Sequence, residues 1–314
     1  MRPFVLTAAY VAAGLSLIAL ALWTFVVVVY PRVGPAPTFT VDPTEARLER
    51  GRYLVEHVTQ CFGCHGTPST AQLGASVDAR TRGGAGRSWE PGGSDASGAS
   101  SLAPNITPAA VGTWTDGELA RATFLGVTPD ARVLRPSMPY PHYAFMCLED
   151  RLSIIAYLRT LAPIEAQPRA TPPSYVESLL LRMIPREDPI PACDGDDTSL
   201  ARGTYLATIA ACGGCHTPLR NGVPDLTRAF AGGRRWDTAS GPVRSANLTP
   251  HADGLAAWTR EDFVAAFRSH AAPPPVDDGD GAGPMPWAGY AGLTDADLAA
   301  VFVYLQSLPP VPSE

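Results

Sequence analysis

The chain has no lysine: all 24 of its basic residues are arginine. Genome composition accounts for that bias, and any partner docking here does not meet a ring of lysines. Against 30 acidic residues the formal net charge is −6, a mildly acidic balance that argues against nucleic acid as a partner. Cysteine is sparse, six in 314 residues, and methionine sparser at five. Proline and glycine are plentiful at 32 and 29, which predicts short helices joined by irregular chain rather than a regular bundle. The length allows two domains of ordinary size once an N-terminal segment is set aside.

Charge is missing altogether from residues 3–31, and residues 4–30 are almost wholly apolar. As a helix that run spans roughly 40 Å, enough to cross a hydrocarbon core of about 30 Å with some tilt. A secretory signal has an apolar core of only about 7–15 residues before a small-residue cleavage site. This run is longer and ends in Val26, Val27, Val28, Val29 and Tyr30, so residues 1–31 read as an uncleaved transmembrane anchor. Arg2 and Arg32 sit one at each end, so the positive residues do not orient it. Trp23 and Tyr30 suit an interfacial position, and residues 32–43 read as a stiff, proline-rich stalk.

The string Cys61-Phe62-Gly63-Cys64-His65 recurs as Cys212-Gly213-Gly214-Cys215-His216. Each C-x-x-C-H reads as an attachment site for a c-type haem. Two thiols three positions apart reach the two vinyl groups of one porphyrin edge from a single turn of backbone. The adjacent histidine is then carried under the iron as its proximal ligand. C-x-x-C alone also builds zinc sites and redox dithiols, so the weight lies in the recurrence. Haem attachment of this kind takes place on the outer side of an energised membrane. Everything after Arg32 is therefore expected in the periplasm of a bacterium, tethered by one pass through the inner membrane. On that oxidising side the remaining cysteines, Cys147 and Cys193, form either a disulfide or two unpaired thiols.

Beyond the motifs, the chain is one module written twice. Arg50-Gly51-Arg52-Tyr53-Leu54 precedes the first motif and Arg202-Gly203-Thr204-Tyr205-Leu206 the second. Asn105-Ile106-Thr107-Pro108 matches Asn247-Leu248-Thr249-Pro250, and Trp114-Thr115-Asp116 matches Trp258-Thr259-Arg260. Pro136-Ser137-Met138-Pro139-Tyr140 matches Gly283-Pro284-Met285-Pro286-Trp287, and Tyr157-Leu158 matches Tyr304-Leu305. The order is identical and the offsets stay close to 147. Modules are expected over 44–165 and 198–314, with a linker at 166–197 in which residues 175–184 could form one amphipathic helix. Both modules read as helical. Thr115 with Glu118, and Thr259 with Asp262, mark helix starts, and a last helix begins near Thr294 and stops before Pro309. Gly51 with Tyr157, and Gly203 with Tyr304, mark close crossings of first and last helices. The Gly/Ser-rich run at 83–101 is an insertion in the first module.

A low-spin haem needs a sixth ligand, and a thioether favours the ferrous state. Only Met138 and Met285 hold equivalent places in the repeat, each followed by a proline that stiffens the segment and then by an aromatic residue. They are the expected axial ligands. Met146 and Met183 are read as packing, and His142 is the one other histidine near enough to Met138 to compete. Asn105, Asn247, Trp114 and Trp258 either donate to haem propionates or serve turns and core. Arg87 and Arg234, each in a Gly-Arg-x-Trp string, could pair with propionates.

At these residues the chain resembles the class I cytochrome c fold in two tandem copies, an all-α architecture. The pattern is similar to that of the cytochrome subunits of membrane-bound bacterial dehydrogenases, such as alcohol and gluconate dehydrogenases. The resemblance implies two covalently bound haem c groups, one held by Cys61, Cys64, His65 and Met138, the other by Cys212, Cys215, His216 and Met285. Those subunits commonly carry three haem domains where this chain has two. The expected function is electron transfer on the periplasmic side, from a dehydrogenase or quinol-oxidising complex to a terminal oxidase or soluble carrier, with no catalysis of its own. The competing readings are a dihaem subunit of a respiratory oxidase and, as an enzyme, a dihaem peroxidase, which would need an open iron and acid–base groups beside it.

Overall fold

A computed structural model describes residues 2–67, 77–84, 86, 103–166, 172–187, 190–191, 193, 199–238, 241–271 and 285–313. Arg87, Trp89, most of the Gly/Ser-rich run and the Gly283-Pro284 pair lie outside the described residues. The first helix, α1 (Arg2–Val29), contains one stretch, Val5–Val29, long and apolar enough to cross a membrane, and that stretch is not covered by the rest of the protein.

Residues 32–43 do not stand off as a stalk. Phe39 and Val41 settle on the apolar core, and the Val41 amide donates to Asp116 at 2.8 Å. Pro37 runs so close to Gly117 that a Cβ there would lie 1.7 Å from its carbonyl oxygen. Proline content predicts a stiff segment, but the buried Val41, the half-buried Phe39 and a carboxylate acceptor decide where it lies.

The first unit comprises α2 (Glu45–Tyr53), which continues as π-type turns over Leu54–Val58, then α3 (Cys61–His65) and α4 (Pro108–Val111). It continues with α5 (Asp116–Leu125), α6 (Tyr140–Tyr143) and α7 (Leu148–Arg159). Helix α8 (Tyr175–Leu181) occupies the connecting segment. The second unit repeats the order with α9 (Ser199–Ile209), α10 (Cys212–His216), α11 (Arg260–Arg268), α12 (Trp287–Tyr290) and α13 (Asp295–Gln306). Two short hairpins interrupt it: β1 (Leu219–Arg220) with β2 (Val223–Pro224), and β3 (Arg235–Thr238) with β4 (Gly241–Arg244). The architecture is thus mostly helical rather than purely so. Residues 217–246 lack a helical apolar stripe, and Trp236 pairs across the strands with Val243.

The expected helix signals act as read. Thr115 and Thr259 close capping boxes with Glu118 and Asp262, and the Thr294 hydroxyl accepts the Asp297 amide. Each unit is organised around the crossing of its first and last helices. A Cβ on Gly51 would sit 2.0 Å from the Ser153 carbonyl oxygen, and one on Gly203 1.9 Å from that of Ala300, so only glycine admits the approach. Leu54, Val55, Ile154 and Ile155 fill the first crossing, and Leu206, Leu298 and Leu305 the second. Met146 is fully buried there, but Met183 is half exposed and does not serve as packing.

Cys147 and Cys193 are joined as a disulfide, with Cα atoms 5.1 Å apart. The units then meet through a reciprocal set of contacts. Tyr205 of the second donates to Asp150 of the first at 2.7 Å, and Tyr53 of the first donates to Asp297 of the second. Each carboxylate is also held by an arginine of its own unit, Arg50 for Asp150 at 2.8 Å and Arg202 for Asp297.

Candidate functional site

Both C-x-x-C-H strings form a single helical turn, and both are entered the same way. Gln60 and Ala211, the residues just before the first cysteine, take left-handed backbone conformations at φ 50° and 55°. A non-glycine residue there carries strain of order 1 kcal/mol. What it achieves is a sharp break between the incoming helix and the cysteine turn, which would otherwise run on as one rod.

On those turns both histidines are buried, 5% and 9% exposed, and both are fixed by Nδ1. His65 Nδ1 lies 2.6 Å from the Pro104 carbonyl oxygen and His216 Nδ1 lies 2.8 Å from that of Ala246. A carbonyl can only accept, so Nδ1 carries the proton and Nε2 keeps its lone pair. Burial pushes both imidazoles below their ordinary pKa, opposed by these hydrogen bonds, so each stays neutral near pH 7. A neutral ring with its far nitrogen basic and its orientation set by a second group is what a metal ligand requires.

Asn105 and Asn247 explain how the two carbonyls are held. The Asn105 amide donates to Ile164 O and Ala166 O at 2.7 and 2.9 Å, and its oxygen accepts from the Thr107 amide and hydroxyl, both at 2.8 Å. Asn247 does the same with Val311 O at 2.7 Å, Ser313 Oγ at 3.3 Å, and the Thr249 amide and hydroxyl at 2.8 and 2.7 Å. Both amide protons are engaged, so these side chains are turn locks and not propionate donors. Each pins the residue before it, whose carbonyl holds the histidine. Trp114 packs on the core, while Trp258 is 41% exposed. Arg234 reaches the motif itself, donating to Gly214 O at 2.5 Å with its guanidinium over the Trp236 ring.

Met138 and Met285 are partly buried against the same apolar core that Cys61 and Phe230 adjoin. Their segments are tied to the motifs by two tyrosines, each five residues downstream. The Tyr143 hydroxyl donates to Thr59 O at 3.1 Å and that of Tyr290 to Ala210 O at 2.9 Å. Burial raises both phenols well above 10, so they remain donors throughout the ordinary pH range. The repeat offset marks these tyrosines as clearly as it marks the methionines. The Pro104 and Ala246 carbonyls carry no side-chain signal and are visible only in three dimensions.

His142 does not turn toward the first motif. Its ring donates to the backbone carbonyl of Thr208 and lies near Gly214, both in the second unit. The converse contact is His57 Nδ1, 3.1 Å from the Gly289 carbonyl oxygen, with Gln60 lying on Gly289. The methionine segment of each unit therefore touches the motif region of the other. Burial also raises the Cys61 and Cys212 thiols, the latter to about 12 with a contribution from Cys215, so the unattached chain is poorly nucleophilic here.

The donor set fits a porphyrin held by two thioethers: paired thiols and a lone-pair imidazole on one turn, enclosed by apolar side chains, twice over. Residues 200–309 match the cytochrome c family. The chain is 28% identical over 298 residues to the cytochrome c subunit of the quinone alcohol dehydrogenase of Komagataeibacter europaeus, covering 89% of this chain and 59% of that one. To the fructose dehydrogenase cytochrome subunit of Gluconobacter japonicus it is 31% identical over 225 residues, 65% of this chain and 44% of the other. To a dihaem c-type cytochrome of Cereibacter sphaeroides it is 29% identical over 221 residues, 67% and 72% of the respective chains. It thus spans less than two thirds of the length of the dehydrogenase subunits it matches. Residues 200–309 are thus similar to the cytochrome c family, and over most of its length the chain is similar to the cytochrome c subunits of bacterial dehydrogenases.

Proposed function

We propose that this protein is a membrane-anchored dihaem electron carrier, with Cys61 and Cys64 holding one haem c and Cys212 and Cys215 the other. His65 with Met138, and His216 with Met285, supply the axial ligands. The observation that carries this reading is the paired Nδ1 tether: His65 and His216 are set in the same tautomer by carbonyls at matching places in the repeat.

A bound haem supplies reversible one-electron chemistry. The chain's own part is to keep each imidazole neutral and oriented, to exclude water with Phe62, Tyr143 and Tyr290, and to present a soft thioether, which favours the reduced state. Were His65 with Met138 and His216 with Met285 to hold the two irons, no position would be left for a substrate, and the protein would carry electrons without catalysing a reaction itself. The crossed contacts, Gln60 on Gly289 and His142 at Gly214, make neighbours of the two motif regions and support passage from one haem to the other.

By likeness to dehydrogenase cytochrome subunits, the donor is a periplasmic or membrane-bound dehydrogenase or a quinol-oxidising complex. The acceptor is a terminal oxidase or a soluble carrier. Helix α1 spans the inner membrane and the units lie in the periplasm, where haem is attached. Pyridine haemochrome spectroscopy of the purified full chain is expected to give two c-type haems per polypeptide; one or none overturns the assignment. Met138→Ala and Met285→Ala should each lower the potential of one haem and open its iron, and unchanged spectra in both sink the ligand set. Purification in mild detergent with identification of co-eluting chains names the donor.

A further inference from the structure

Helix α8 presents an apolar stripe that nothing among the described residues covers. Val176 and Leu180 are 65% and 61% exposed, Tyr175 caps the stripe at one end, and Met183 and Ile184 continue it past the other. Positions 176, 180 and 183–184 fall on one side of a helix. The adjoining side is committed: Leu181 is buried with Val127 and Val133, and Glu177 pairs with Arg135 at 2.6 Å. A capping box between Ser174 and Glu177 fixes where the helix begins. Five neighbouring exposed apolar side chains are more than a surface in water ordinarily carries.

The position of α8 points to what covers the stripe. Its start touches α1, where the Trp23 indole donates to the Tyr175 hydroxyl. Just past its end, Arg182 donates to the carbonyls of Val27 and Tyr30 at 3.2 and 2.5 Å, where α1 stops. The 25 residues of Val5–Val29 extend about 38 Å, some 8 Å more than a hydrocarbon core of about 30 Å. Trp23 lies six residues before Val29, or about 9 Å along the axis. With the overshoot shared between the ends, Trp23 and Tyr175 fall about 5 Å inside the hydrocarbon boundary. The end of α8 rises with Arg182 to the level of the last carbonyls of α1. The stripe therefore lies at the depth of the headgroups and first acyl carbons.

We infer that α8 is an interfacial membrane helix, resting its Val176–Leu180 face on the bilayer that α1 crosses. This rests on α1 being a membrane span. Glu177 is turned to Arg135 and Arg182 to the end of α1, the exposed pair Arg186 and Glu187 beyond the stripe carries opposite charges, and the chain has no lysine. Apolar area and not anionic lipid therefore provides the attachment, and a neutral bilayer suffices. The consequence is rotational. One helix leaves a tethered body free to swivel, whereas two contacts fix which face of the haem units is turned to the membrane.

The test uses the full haem-loaded chain in phosphatidylcholine nanodiscs, with single nitroxide labels at Val176→Cys or Leu180→Cys. References are Leu17→Cys within α1 and Leu226→Cys, exposed in the second unit. Collision with oxygen is compared with collision with a water-soluble nickel chelate. Labels at 176 and 180 should fall between the one at 17 and the one at 226, with an oxygen-to-nickel ratio several-fold above that at 226. Nickel-favoured labels at 176 and 180 beside an oxygen-favoured label at 17 overturn the inference and leave the stripe as a surface for a protein subunit. A nickel-favoured label at 17 overturns the spanning reading and this inference with it.

Discussion

Tyr53 of the first unit donates its hydroxyl to Asp297 of the second and accepts the Thr294 amide at 3.2 Å. Thr294 caps α13, and Asp297 is the third residue of that helix. In an ordinary capping box the third-residue carboxylate would reach back to the cap amide; here a tyrosine from the other unit stands between them. Tyr205 repeats the arrangement at α7, accepting the Cys147 amide at 3.4 Å and donating to Asp150 at 2.7 Å. Each unit completes the start of the other's last helix. Docking and helix capping are therefore one event.

Tyr53→Phe and Tyr205→Phe should each cost about 1–3 kcal/mol, because each leaves a buried carboxylate and a cap amide short of one partner. Asp150 and Asp297 are 6% and 0% exposed, so water does not readily replace the lost hydroxyl. Denaturant unfolding followed by circular dichroism measures the loss. The double variant should also widen the separation of the units in small-angle scattering. Full stability in both single variants would mean that the interface rests on its apolar contacts alone.

Asn105→Ala and Asn247→Ala test the relay from turn to histidine. Loss of the amide frees the segment carrying the Pro104 or Ala246 carbonyl, and the imidazole loses the group that fixes its tautomer. The expected result is a changed reduction potential at that haem alone, together with about 2 kcal/mol of lost stability. Potentiometric titration of the two haems separates the outcomes: equal shifts in both, or none, would make the asparagines simple fold supports.

How much of this was legible follows the repeat. Motifs, helix starts, glycine crossings and the two methionines align at a near-constant offset, so comparison within the chain finds them. Features that one unit makes on the other do not, because Tyr53 and Tyr205 read as ordinary helix aromatics until both units are folded. Nor does a shared function need a shared position. Arg151 of α7 donates to Ala144 O and Met146 O at 2.5 and 2.8 Å. At the equivalent carbonyls, Ala291 O and Leu293 O, the donor is Arg268 of α11, at 2.5 and 2.6 Å. Alignment cannot show a clamp whose arginine comes from different helices. The misread stalk has the same origin, since proline content predicts stiffness and says nothing of where Phe39 and Val41 pack.

Acid should weaken the helix starts of α5 and α11. The Thr259 hydroxyl and amide hold Asp262 below its usual carboxylate pKa, and the Thr115 amide and hydroxyl do so for Glu118. A depressed native pKa contributes stability that is present above the unfolded value, near 4, and is lost as pH falls through the native one. Between pH 5 and 7 the contribution is constant; below about 4 it declines. Thr259→Val removes the hydroxyl donor, so unfolding of that variant should depend less steeply on pH below 4 than the parent's does. An identical acid limb in both proteins would place the acid-sensitive groups elsewhere.

Reduction of the Cys147–Cys193 bridge should loosen one segment and spare the haem sites. The bridge closes a loop over a sequence separation of 46, which in the chain-entropy account contributes about 4 kcal/mol. That loop contains α8, while the crossing of α2 with α7 is packed independently by Leu54, Val55, Ile154 and Ile155. The double variant Cys147→Ser with Cys193→Ser keeps a polar residue at the α7 cap and removes only the bridge. A lowered unfolding midpoint, faster proteolysis within residues 166–197 and an unchanged haem spectrum are expected. A shifted spectrum would mean that the bridge also positions α6 and Met138, which its place just after Met146 would then have to transmit through the Tyr143–Thr59 hydrogen bond.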